Sequence, residues 1–355
     1  LDKKNTGSVK SGTLSATGNY TKLNSGTHNN GGDYTYTDYL TGLSTAQSDQ
    51  GVMYDVAAGN FDKNTTGKTA QIAMVYTKAY SANGGLYLRF GDAKGTGTGA
   101  YGDSIELLSK EKKLGNPDLK MDGKNAENFA ENPYQLKNYL QVATGDWNGD
   151  GVDEVAVYIP EENNSRIAIY ALQRPEDHEG YKKASNWALA WTYYLKEDQV
   201  VSNMISMTSG DVDRDGIDDL SCTWGYYYGP TENKGSKAVV MFGAKGSDIF
   251  KRSQQFDITY GSSNIVRASF TFGDIGTGEE ELILCGQSDA DLKEGNTYSR
   301  YVALYTWNGK QFVTNIEKNF NLFEKDDDGN LVNSAMEYNR NGANTFYSLP
   351  LCPAN

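Results

Sequence analysis

Two ten-residue segments constrain this chain more than anything else in it. They are Gly145-Asp146-Trp147-Asn148-Gly149-Asp150-Gly151-Val152-Asp153-Glu154 and Gly210-Asp211-Val212-Asp213-Arg214-Asp215-Gly216-Ile217-Asp218-Asp219. Each sets oxygen side chains at loop positions 1, 3 and 5 and puts a glycine at position 6, where the backbone must turn sharply. That is how a short loop wraps hard oxygen donors around a cation such as calcium. An EF-hand would finish with a glutamate at position 12 and a helix, but position 12 of the first segment is Val157. Both segments run directly into apolar stretches, Val155 to Ile159 and Leu220 to Trp224, whose β-branched and aromatic content predicts strands. The last acidic donor must therefore come early, at Glu154 or Asp219. These are cation loops at the tips of β-hairpins.

The loops recur through the chain. Asp146 and Asp211 lie 211 − 146 = 65 residues apart, and a weaker copy begins at Asp274, 274 − 211 = 63 residues further on. Another weak copy, Gly59-Asn60-Phe61-Asp62-Lys63-Asn64, leads into Ile72 to Tyr76. Self-similarity at such a period marks a repeat architecture. The two strong segments resemble the FG-GAP (VCBS) repeat of integrin-α-type β-propellers, in which the loop joins the first two strands of a four-stranded blade. The resemblance implies an all-β propeller with calcium as its cofactor. It implies as ligands Asp146, Asn148, Asp150, the Val152 carbonyl and Glu154, then Asp211, Asp213, Asp215, the Ile217 carbonyl and Asp219. With four carboxylates against three and the neutral Asn148, the Asp211 loop is expected to bind the tighter ion. The Asp274 copy has glycines at ligand positions and is expected to be empty. The Asn60 copy carries Lys68 at position 9 and is expected to be empty or weak.

Five blade units are counted, starting near residues 2, 60, 146, 211 and 274, within a single domain spanning residues 1–355. Residues 1–50, polar with short alternating runs such as Tyr34 to Thr37, read plainly as disordered, and the alternation also suits outer strands of a closing blade whose first strand is near Thr345 to Leu351. A cut from a seven-bladed ring is the equal alternative. Leu1 in first place, without a signal peptide, reads as a processed or excised piece. In the unit that starts near residue 146, strands are expected near Tyr139–Thr144, Glu154–Ile159, Arg166–Leu172 and Trp187–Leu195, with Gln173 to Asn186 as a loop. A short helix is expected near Asp122 to Asn132, and Lys325 to Asn330 reads as a plain hairpin turn.

Abundant Gly (39) and Tyr (25) with only 7 Pro suit many short strands and tight turns. A net charge of −13 without a basic patch argues against nucleic acid, and no stretch is long enough to span a membrane. Three distant cysteines (222, 285, 352) give no disulfide framework, and Cys222 and Cys285, inside apolar runs, are read as buried thiols. Two histidines, both among polar neighbours, leave no His-based acid–base pair or triad. Weak calcium loops suit a calcium-rich, extracellular or cell-surface setting. Trp224, Tyr226, Tyr227 and Tyr228, at the end of a strand and into a turn, are candidates to stack on a sugar or anchor a protein, with packing between blades as the plainer alternative. Trp187 and Trp191 are read as core, and Trp307 as a hairpin flank. The leading expectation is a calcium-stabilised, non-catalytic extracellular module for adhesion or glycan or protein binding. A polysaccharide-acting enzyme such as a lyase, and a structural part of a surface assembly with further domains or chains, remain as alternatives.

Overall fold

The computed structural model describes residues 12–14, 20–22, 36–38, 43–45, 54–63, 71–77, 85–92, 101–109, 140–161, 165–177, 179–195, 205–228, 232–246, 249–260, 263–273, 281–288, 301–314 and 320–321. The expected helix at 122–132, the turn at 325–330, the core of the Asp274 loop and the closing strand near Thr345 lie outside those residues. Among the described residues every regular element is a strand, apart from two single-turn 3-10 segments, Gly180–Lys182 and Ala184–Asn186.

The strands form consecutive antiparallel meanders, the topology of a propeller blade. In the polar N-terminal stretch β1 (Gly12–Leu14) pairs with β2 (Tyr20–Lys22), and β3 (Tyr36–Asp38) with β4 (Leu43–Thr45). One four-stranded sheet is β5 (Tyr54–Gly59), β6 (Gln71–Thr77), β7 (Leu86–Asp92) and β8 (Tyr101–Leu108). A second is β9 (Val142–Gly145), β10 (Glu154–Ile159), β11 (Arg166–Leu172) and β12 (Trp187–Tyr194), close to the expected ranges. A third is β13 (Ile205–Gly210), β14 (Asp219–Tyr228), β15 (Glu232–Gly243) and β16 (Phe250–Asp257). The last departs from four strands. There β17 (Thr259–Tyr260) pairs with β18 (Ser263–Gly273), which leads to β19 (Glu281–Ser288) and β20 (Tyr301–Trp307). Its fourth position is split between β21 (Phe312–Thr314) and β22 (Phe320–Asn321), both on β20. Trp307 flanks this hairpin as expected: Gly309 turns at φ 87° and the Asn308 side chain accepts from the amides of Lys310 and Gln311.

The chain divides into two compact units, residues 1–146 with 150–195, and residues 147–149 with 196–355. In the first, all six residues of β10 are buried, so this strand is covered on both faces, whereas β12 at the edge is half-buried or exposed after Trp187. Phe90 stacks on Trp187 with centroids 3.9 Å apart and planes 2° apart, and Phe61 meets both edge-on. Burying each such ring contributes about 2 kcal/mol. The stretch from Gln173 to Asn186 is more than the plain loop expected. Its two 3-10 turns bury Tyr181, whose hydroxyl donates to Asp92 and whose carbonyl accepts from Trp187 Nε1 at 2.8 Å. Gly102 on β8 is required there, since a Cβ would lie 1.8 Å from the Lys182 carbonyl oxygen. The second unit has its own core, built from Ala238, Val240 and Phe242 of β15 against Phe270, Phe272, Leu282 and Leu284. Cys222 is buried and free, and burial pushes its thiol well above the ordinary range.

Candidate metal centre

The two strong loops have one hydrogen-bond frame. Asp146 takes the amides of Asp150 (2.9 Å) and Gly151 (2.8 Å) on its two carboxylate oxygens, and Asp150 Oδ1 takes that of Val152 (2.8 Å). Asp211 does the same for Asp215 (3.1 Å) and Gly216 (2.9 Å), and Asp215 Oδ1 for Ile217 (3.0 Å). Two positions in each loop are left-handed. Position 6 is Gly151 (φ 86°) or Gly216 (φ 85°), as the sequence requires, and position 4 is Gly149 (φ 70°) or Arg214 (φ 64°). A left-handed Arg costs about 1 kcal/mol, which the surrounding bonds must hold in place.

Each loop springs from a hairpin mouth of fixed chemistry. The closing pairs are Gly59 with Gln71, Gly145 with Glu154, Gly210 with Asp219 and Gly273 with Glu281. In every pair the residue opposite glycine is polar and at most 2% exposed. Two residues after the glycine comes an apolar plug, Phe61, Trp147 or Val212, each fully or almost fully buried. Gln71 Oε1 accepts the amide of Phe61, and Asp219 Oδ2 accepts that of Val212 at 3.0 Å. Asp219 Oδ1 also accepts from Gly243 N at 2.9 Å, which ties in the third strand. Sequence reasoning assigned Glu154 and Asp219 to the ion alone and did not single out Gln71, Glu281 or the plugs. The signal was present: a glycine two residues before an apolar residue, and a polar residue opening the next strand.

Asp211, Asp213 and Asp215 bring carboxylate oxygens within 4.8 Å of one another, and among the described residues theirs is the acidic group that converges in this way. Asp219, bonded to two amides and 1% exposed, stands outside that trio. Burial pushes its carboxyl up to about 8; the amides of Gly243 and Val212 oppose the shift, and the neighbouring Asp213 and Asp211 add to it. Asp213 is raised too, by burial first and then by Asp215, with Arg252 pulling it down. The Arg252 guanidinium donates directly to Asp213 Oδ2. In the first unit Lys63 Nζ lies 3.8 Å from Asp150 Oδ1, with both side chains more than 40% exposed. Asn148 belongs to the second unit, where its carbonyl accepts from Gly246 N at 3.3 Å. The Val152 and Ile217 side chains, beside the carbonyls assigned to the ion, are buried.

The weak copy at Asn60 serves the first unit differently. Its amide donates to Asp153 Oδ2 at 2.9 Å, its side chain to the Gly151 carbonyl at 3.1 Å, and its own carbonyl accepts from Asp153 N at 2.9 Å. Asp62, 2% exposed, accepts from Glu179 N at 3.2 Å. Of the aromatic run, Trp224 is fully buried and cannot be offered to a ligand: its place in β14 turns it into the sheet packing. The run does not enter a turn either, because β14 continues to Tyr228, paired with β15 through a bulge at Tyr227/Tyr228. Trp187 is buried as expected, whereas Trp191 is half-buried beside Tyr193, ring centroids 6.1 Å apart.

No known protein family and no curated protein matches the chain. Among solved structures it is similar to a rhamnogalacturonan lyase, YesW, at 12% identity and a TM-score of 0.38, the match covering 82% of this chain and 58% of that one. It is also similar to the six-bladed β-propeller lectin of Aleuria aurantia (9% identity, TM-score 0.37, 79% of this chain and 68% of that one). A third is the intramolecular trans-sialidase of Ruminococcus gnavus (9% identity, TM-score 0.32, 80% and 48%). The chain thus spans little more than half the length of the lyase. Likenesses this distant carry no argument about function.

Proposed function

We propose that the chain is a calcium-stabilised, non-catalytic β-propeller module of the FG-GAP type that works outside the cell, as a binding part for a glycan or protein. The observation that carries this reading is the convergence of Asp211, Asp213 and Asp215 in a glycine-turned loop at a hairpin mouth. The donor set is chemically right for a hard divalent ion, because all three donors are carboxylate oxygens held by amides of their own loop. Like charges this close repel without a cation, and here the guanidinium of Arg252 already stands against one of them. Bound calcium supplies charge neutralisation and ties the loop to the strands it joins. The Asp146 loop repeats the same frame with Asp146 and Asp150. With Trp224 in the core, Tyr226, Tyr227 and Tyr228 stay as ligand candidates, at the end of β14 away from the Asp211 loop.

The test is calorimetric titration of calcium into the chelator-stripped full chain. Two ions per chain are expected, falling to one in Asp211→Asn. Absence of binding up to millimolar calcium would refute the metal part. Incubation with acidic polysaccharides should yield no product, and catalytic turnover of any of them would overturn the non-catalytic part.

A further inference from the structure

We propose that Arg252 is a tethered cation that competes with the divalent ion for Asp213 and so sets the affinity of the Asp211 loop. This rests on the calcium reading above and deepens it. Arg252 lies on β16 directly opposite Phe242 of β15 in the strand register. Its guanidinium carbon sits 3.9 Å from the Phe242 ring centroid and 5.3 Å from that of Trp307. Those rings are themselves fixed, 4.8 Å apart and both packed on Phe312. The guanidinium is therefore held by an aromatic seat before it meets any carboxylate. From that seat it donates to Asp213 Oδ2.

The two partners differ in freedom. The Asp213 side chain is 8% exposed and the Arg252 side chain 51%. Asp213 is fixed in the loop at position 3, one of the three converging ligands, while the arginine head reaches it from the solvent side. An ion entering between Asp211, Asp213 and Asp215 must share Asp213 with a unit positive charge or displace it. A +1 and a +2 charge about 5 Å apart in a water-like medium repel enough to weaken binding by about tenfold or more. In the first loop Lys63 approaches Asp150 at 3.8 Å with both groups well exposed, a looser pairing than the seated arginine makes. Carboxylate count alone makes the Asp211 loop the tighter site. The tethered arginine offsets that advantage.

The experiment titrates calcium alone, by calorimetry, into the full chain and into Arg252→Met, Arg252→Gln and Arg252→Lys, each also in an Asp146→Asn background that silences the first loop. Arg252→Met keeps the stem over the rings if the polar variant folds poorly. Tightening by about tenfold is expected for the neutral variants. Arg252→Lys, which keeps the charge, should stay within about threefold of the parent. Melting curves in chelator should show the neutral variants slightly less stable than the parent, because the ion pair is gone, yet with a larger increment on adding calcium. Equal affinity in all four proteins would overturn the arginine proposal and leave the calcium reading standing. No binding by any of them would remove both.

Discussion

The hairpin mouths at Gly59/Gln71 and Gly210/Asp219 have the same skeleton and different loops. Both close a glycine against a buried polar residue, and both use that residue to accept the amide of an apolar plug, Phe61 or Val212. Beyond the plug they part. One carries Asp62, tied to the amide of Glu179, and an aromatic cluster of Phe61, Phe90 and Trp187; the other carries three converging carboxylates. The difference teaches that the mouth is a staple of its own, made by the glycine, the buried polar residue and the plug, and that what lies beyond it varies.

The largest effect expected from breaking this comparison lies in the plug. Phe61→Ala should cost about 4 kcal/mol, since the ring is 1% exposed and touches Phe90, Tyr181 and Trp187. Denaturant unfolding measures it, and the loss should be the same in chelator and in calcium. Next comes the staple itself. Asp219→Ala strands the amides of Val212 and Gly243 and should cost about 3 kcal/mol, whereas Gln71→Ala strands that of Phe61 alone and should cost about 2 kcal/mol. A loss from Asp219→Ala that vanished in chelator would mean that the residue acts through the ion.

The first unit also has a pH signature. Asp55 on β5 accepts Val142 N at 2.9 Å, and burial raises its carboxyl from 3.8 to about 6. An acid that holds its proton more tightly when folded favours the folded state below pH 3.8, and that contribution is lost as pH rises through about 6. Between those limits stability should fall by about 2 kcal/mol relative to Asp55→Asn, in which the decline is absent. Melting temperatures of the two proteins from pH 4 to 7 give the comparison.

How much of this was legible in the sequence follows from what a local pattern encodes. The last three strands of the second sheet are legible almost to the residue, because β10 is a Val-rich apolar run and Gly145 and Gly151 punctuate the loop before it, whereas β9 starts three residues later than expected. The shared frame of the two loops was legible for the same reason: Asp at position 1 and Gly at position 6 are local requirements. Gln71 and Asp219 as staples were not, because their partners depend on which strands pair. Arg252 was invisible for a stronger reason. It lies 252 − 213 = 39 residues from Asp213 and comes into place only through the register that sets it opposite Phe242. For Trp224 the plainer alternative, packing, is the one that holds, because β14 continues past it and keeps the ring inside the sheet.

The most direct measurement of the division between staple and ion loop is a pair of melting curves, in chelator and in calcium, for Asp215→Ala beside Asp219→Ala. Asp215 is exposed and accepts the Ile217 amide of its own loop, so in chelator its loss should cost under about 1 kcal/mol. With calcium about tenfold above its dissociation constant, the same variant should forfeit about 1.4 kcal/mol of added stability, worth a degree or more of melting temperature. Asp219→Ala should already be about 3 kcal/mol down in chelator. The opposite pattern, Asp215→Ala as damaging as Asp219→Ala without calcium and calcium adding the same increment to Asp215→Ala as to the parent, would contradict the account.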